Sequence, residues 1–74
     1  MKEGCLTWDA NSKRPDIRHH DGSYYGGLHC GDALEALSRG LWRPARIEYR
    51  HSSGTWYLEG IENGGEILWL KVRK

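Results

Sequence analysis

Two pairs of adjacent donors, His19–His20 and His29–Cys30, together with Cys5, are the side chains whose types suggest metal chemistry. Zinc sites draw ligands from spacings such as Cys-x2-Cys or His-x3-His, which set two donors on one side of a loop or helix. Adjacent residues of a strand point to opposite faces, so each pair offers one inward donor. No metal site is expected. The same stretch raises thiol chemistry, with Cys30 as nucleophile, His29 as base and Asp32 as the carboxylate that orients it. That chemistry needs the base within reach of the sulfur and a cleft for substrate. Consecutive side chains diverge and a small barrel has little cleft, so the chain reads as a non-enzyme. The Gly-Gly pairs at 26–27 and 64–65 lack the spacing and the lysine of a phosphate-cradling loop. No cofactor is implied.

What remains is recognition by aromatic and basic side chains. Tyr57 and Trp69 alternate with apolar neighbours in a way that puts them on polar strand faces. Arg46, Arg50, Lys71 and Arg73 fall on the same faces, interrupted by Glu48 and Glu59. Such a surface can stack bases and pair phosphates. The plainer reading is a solvated sheet face whose arginine and lysine stems cover the rings. Tyr24 and Tyr25 stand together in the loop "DGSYYGG" and are candidates for partner contact. Trp8, Trp42 and Trp56 are assigned to the core, because a chain with four Trp, four Tyr and no Phe needs large rings inside.

These residues must be positioned by short strands. "GCLTW" reads as a strand, "DANSKRPD" as turn chemistry and "DIRHH" as a returning edge strand. "ARIEY" alternates Ala45, Ile47 and Tyr49 against Arg46, Glu48 and Arg50, the period of a half-buried strand. "TWYLE" puts Trp56 and Leu58 on one face and Tyr57 and Glu59 on the other. "ILWLKVR" puts Leu68, Leu70 and Val72 opposite Trp69, Lys71 and Arg73. The Asn-Gly within residues 62–65 is a hairpin signal, and the last three strands are expected to form a meander.

Residues 33–37 admit two readings. Asp32 with Glu35 three residues on is the pattern of a capping box, and Gly40 suits a helix C-terminus. Leu34 and Ala36 alternate equally well for a strand, with "SRG" as a hairpin tip. Local patterning leaves the two even.

The chain has 74 residues and is expected to be one domain. Its net charge of +1, from 11 basic and 10 acidic side chains, argues against a dedicated binder of the DNA backbone. No apolar run approaches the roughly 20 residues that span a bilayer, so no membrane partner is expected. "MKEGCLTWDA" lacks the apolar stretch of a signal peptide, which suggests a cytoplasmic protein. Cys5 and Cys30 are then expected to be free thiols.

Gly31, Asp32, Ala36, Gly40, Trp42, Ala45 and Ile47 resemble the first hairpin of Tudor and related SH3-like barrels. Tudor-like domains often bind methylated Arg or Lys in an aromatic cage, but no cage residue aligns here, so none is carried over. A longer pattern, "LHCGDALEALSRGLWRPARIEY" followed by "WYLEG", resembles an uncharacterised family of short bacterial proteins associated with mobile elements. Both resemblances imply strand for residues 33–37. The expectation is an all-β, SH3-like (Tudor-like) barrel of five to six short antiparallel strands. Its expected role is binding another protein, with weak nucleic-acid binding as the alternative and a small enzyme or metal-binding domain third. The candidate binding residues are Arg46, Arg50, Tyr57, Trp69, Lys71, Arg73, Tyr24 and Tyr25.

Overall fold

A computed structural model describes residues 1–61 and 66–74. The Asn-Gly hairpin signal lies outside the described residues. Six strands are present: β1 (Glu3–Asp9), β2 (Arg14–His19), β3 (Ala33–Ser38), β4 (Leu41–Arg50), β5 (Thr55–Glu59) and β6 (Lys71–Arg73). All pairings are antiparallel, in one sheet of order β2-β1-β6-β3-β4-β5. The fold is all-β, and no helix occurs among the described residues.

The ambiguous segment is strand β3. Leu34 and Ala36 are buried, at 3% and 0% exposure, and Arg39 and Gly40 form a two-residue turn between the paired Ser38 and Leu41. Both turn residues have positive φ, 52° and 78°, as a type I′ hairpin requires. The side chains that would have capped a helix are used elsewhere. Asp32 accepts the His29 N–H at 2.9 Å, and Glu35 accepts the Arg73 guanidinium from β6.

The expected meander is only half present. β4 and β5 pair as anticipated, with Ile47 opposite Leu58 and Tyr49 opposite Trp56. β6 instead leaves β5 and inserts between β1 and β3. Its strand is also shorter than "ILWLKVR" suggested, because a turn interrupts it at Ile67–Leu70, where the Leu70 N–H reaches the Ile67 carbonyl at 3.3 Å.

The core explains how one sheet suffices. Ile17 on edge strand β2, Leu58 on the opposite edge strand β5 and Val72 on central β6 belong to one buried cluster. Leu6, Leu34, Ala45 and Ile47 join it from the other strands, and Leu28 and Ile67 from connecting segments. Side chains from both edges of a single sheet meet only if the sheet curls over its own apolar face. Close approach also demands Gly4: a Cβ there would collide with the Arg18 carbonyl and would lie 2.8 Å from Ile17 Cγ2.

The β2 edge is covered by the segment 23–28, which folds back along it. Backbone N–H groups of Tyr25 and Leu28 donate to the Ile17 and Pro15 carbonyls, each at 2.9 Å, and His19 donates to Ser23 at 2.8 Å. No helix is long and apolar enough to cross a membrane among the described residues.

Two tryptophans assigned to the core are not in it. Trp42 lies an odd number of residues from Ala45, so it points away from the apolar face, and it is half-buried beneath Arg73. Trp8 shares the inward side of β1 with Leu6 but sits near the strand end, where it borders open grooves, and is 45% exposed. Trp56 alone packs against the core, tilted on Tyr49 with ring centroids 5.1 Å apart.

Candidate binding surfaces

The outer face of the sheet collects most of the anticipated basic and aromatic residues. Arg46 and Arg50 of β4, Tyr57 of β5, and Lys71 and Arg73 of β6 all lie there. The rings on this face are already covered. The Arg50 guanidinium lies 4.6 Å from the Tyr57 ring centroid, and that of Arg73 lies 4.4 Å from Trp42. Arg73 also donates through Nε to Glu35. Lys71 Nζ stands 4.0 Å from Glu3 Oε1, and Arg46 faces Glu59 across the β4–β5 ladder. Arginine stems over the rings, with carboxylates paired to or facing the cations, are how a solvated face is built.

Trp69 does not belong to that face. It occupies the third position of the Ile67–Leu70 turn, with φ 73° and 72% exposure. Its N–H donates to the Leu6 carbonyl at 2.7 Å, while the Leu6 N–H donates to Leu70 at 2.9 Å. Two residues of one strand therefore oppose one of the other. This is a bulge whose first residue is left-handed, a position that ordinarily takes glycine. A bulky residue there costs roughly 1–2 kcal/mol of backbone strain. Lys13 and Arg39 share the left-handed region, but as exposed turn residues.

A second surface surrounds Trp8. On one side a groove of about 400 Å3 is lined by Thr7, Trp8, Asp9, Asn11, Asp16 and Tyr24. On the other a cavity of about 210 Å3 is lined by Trp8, Pro15, Trp56, Ile67 and Leu68 among others. Leu68 precedes Trp69 directly, so the strained turn, Trp8 and Tyr24 belong to one end of the sheet. Tyr24, 58% exposed, is held beside β2 by a bridge to Arg18. Tyr25 is 43% exposed and has the Lys74 ammonium 5.5 Å from its ring centroid.

Asp16 is the keystone of the groove. It is 4% exposed, and its Oδ1 accepts three backbone N–H groups: Ile17 at 2.8 Å, Gly27 at 2.9 Å and Gly26 at 3.0 Å. Both glycines have positive φ, 113° and 100°, which lets consecutive N–H groups converge on one oxygen. Asp9 takes the Ser12 hydroxyl at 2.8 Å and the Asn11 N–H at 2.9 Å, and these hold its carboxyl below the ordinary 3.8. Asp21 anchors the start of the tyrosine loop: Ser23 donates its hydroxyl at 2.6 Å and its N–H at 2.9 Å, and Lys2 donates at 3.2 Å. The Ser23 hydroxyl, then its N–H, then Lys2 depress the Asp21 carboxyl well below 3.8.

A folded value below the unfolded one stabilises the fold above the unfolded value, and that contribution is lost as pH falls through the folded one. An NMR pH titration is therefore expected to find Asp21 still ionised at pH 3.8, where an unfolded carboxyl is half protonated. A midpoint at or above 3.8 would mean that the Ser23 and Lys2 contacts do not hold in solution.

The other chemical candidates do not converge. Cys5 and Cys30 are free thiols, Cys30 exposed. His19 is buried with Nδ1 3.1 Å from the Glu3 carbonyl, and His29 Nδ1 lies 3.8 Å from Asp32 Oδ2. No three His, Cys, Asp or Glu side chains gather around a point among the described residues.

The family model of a domain of unknown function, DUF5348, matches residues 4–73. The chain belongs to that family. The resemblance to an uncharacterised bacterial family, carried by residues 28–49 and 56–60, is thereby borne out. This DUF5348 domain is similar to a protein of Ruminococcus gnavus whose crystal structure was solved by a structural genomics consortium. The two are 38% identical with a TM-score of 0.86, covering 99% of this chain and 100% of the other. No curated protein matches. The description of the DUF5348 family names no activity, so function rests on the surfaces above. Trp8, absent from the anticipated set, shares the groove with Tyr24.

Proposed function

We propose that this DUF5348 domain is a non-enzymatic module that binds another protein, on an SH3-like scaffold, in the cytoplasm of a bacterium or in a mobile-element setting. The observation that carries this is Trp69: a 72% exposed indole kept at a left-handed backbone position. Strain of that kind is retained where the side chain has a use, and exposed tryptophans beside apolar cavities are characteristic anchors of protein interfaces. The Trp8 cavities next to the turn supply the rest of such a surface. Nucleic-acid binding through the outer face has less support, because Arg50 and Arg73 occupy the rings that bases would stack on.

Trp69→Gly is expected to raise stability by about 0.5–1 kcal/mol, since glycine relieves the strain while little burial is lost. The same variant should lose partner binding. Peptides selected from a random display library on the wild-type domain are expected to bind it and to fail on Trp69→Gly, with no oligonucleotide binding at physiological salt. Selected peptides that bind both forms equally, or salt-sensitive oligonucleotide binding that Trp69→Gly leaves intact, would reject this reading.

A further inference from the structure

The groove beside Trp8 has the ingredients of a cation site but no cation of its own. Asp16 is 96% removed from solvent, counting from its 4% exposure. Its Oδ1 is saturated by three N–H donors, whereas Oδ2 takes no hydrogen bond from any described residue. A buried carboxylate oxygen without a partner is costly unless something pairs with it. Asp9 adds a second carboxylate to the lining, and Trp8 and Tyr24 add aromatic surface. No lysine or arginine lines the groove among the described residues. Arg14, opposite Asp9 in the β1–β2 ladder, offsets part of the charge of Asp9 and leaves Asp16 as the buried acceptor.

The same molecule contains the completed version of this arrangement. On the outer face a carboxylate (Glu35), an aromatic ring (Trp42) and a guanidinium (Arg73) form a closed trio, with the guanidinium bonded to the first and laid over the second. The groove repeats the carboxylate and the rings and lacks the guanidinium. Resting on the protein-binding reading above, we propose that the groove receives an arginine side chain of the partner, its guanidinium donating to Asp16 Oδ2 and stacking on Tyr24 or Trp8. Arginine suits the site better than lysine because its planar head can donate to an oxygen while lying flat on a ring.

The test uses three capped tripeptides, Gly-Arg-Gly, Gly-Lys-Gly and Gly-citrulline-Gly, titrated into the folded domain to millimolar concentrations and followed by amide and indole NMR shifts. Saturable shifts of the Gly26 and Gly27 amides and of the Trp8 indole N–H are expected with arginine, weaker ones with lysine, and none with neutral citrulline. Asp16→Asn keeps an acceptor for the glycine amides but removes the charge, and should weaken arginine binding about tenfold or more. Should that variant not fold, Tyr24→Leu, at an exposed position, should weaken binding with the fold intact. No saturation with arginine, an equal response to citrulline, lysine binding as tight as arginine, or indifference to these substitutions would each overturn the proposal. Library peptides that require Trp69 but carry no arginine and ignore Asp16→Asn would sink the arginine site while leaving the binding module standing.

Discussion

Replacing Asp16 with alanine is expected to destabilise the domain by about 3 kcal/mol or more. One oxygen of this side chain holds three N–H groups, two of them on buried residues, Ile17 and Gly27. A buried donor left without an acceptor costs about 1–3 kcal/mol, and bonds to a charged acceptor lie at the upper end. The loss also releases the Gly26 and Gly27 amides, leaving only the flanking Tyr25 and Leu28 N–H bonds to hold the segment that covers the β2 edge and delivers Leu28 to the core. Asp16→Asn retains one acceptor oxygen and should lose half as much or less. Denaturant midpoints of the two variants check this. An alanine variant as stable as wild type would show that water or a neighbour satisfies the amides, and the groove would not be built as described.

The second large effect separates two tryptophans, one in "TWYLE" and one in "ILWLKVR". Trp56→Ala is expected to cost about 2–4 kcal/mol, somewhat less than a fully buried tryptophan because the ring is only half covered. It loses contact with the core and with Tyr49 at once. That is most of what a domain of this size has to spare. Trp69→Gly moves stability in the opposite direction, as argued above. Equal destabilisation by the two would mean that the inside and the outside of the curled sheet are interchanged.

Much of the framework was legible because period-two patterning is a local property. Ala45, Ile47 and Leu58 declare their side of the sheet within five residues, and the structure agrees. Parity alone would also have removed Trp42 from the core, since it is out of phase with Ala45; the demand for large apolar rings obscured that signal. Trp8 shows the converse. Its parity is inward, but exposure depends on what lies beyond the strand end, which no local window contains. The partner of β6 was not legible either. Val72 must be buried, but whether against β5 or between β1 and β3 is decided by the curl of the whole sheet. The groove was hidden for the same reason: Asp16 is ten residues from the Gly26 amide and eleven from that of Gly27, and they meet only after the loop folds back. A Leu-Trp-Leu run looks like a strand until the bulge opposite Leu6 gives its middle residue a left-handed backbone.

The strand order has a consequence for how the molecule comes into being. β1 and β2 form one ladder, β3 to β5 another, and the strand that joins them, β6, is the last of the six to leave the ribosome. Synthesis therefore produces two separate β units, each with an unpaired edge and an uncovered apolar face, before it produces a sheet. The joining contacts, Glu3 with Arg73 and Ala36 with Val72, span nearly the whole chain and about half of it, and such long-range closures are slow compared with hairpin formation. During that interval the nascent chain presents the kind of open edge that chaperones hold and that neighbouring chains can invade. A stop codon or proteolytic cut ahead of Lys71 would make this interval permanent, because β6 is the strand whose ladders join β1–β2 to β3–β5.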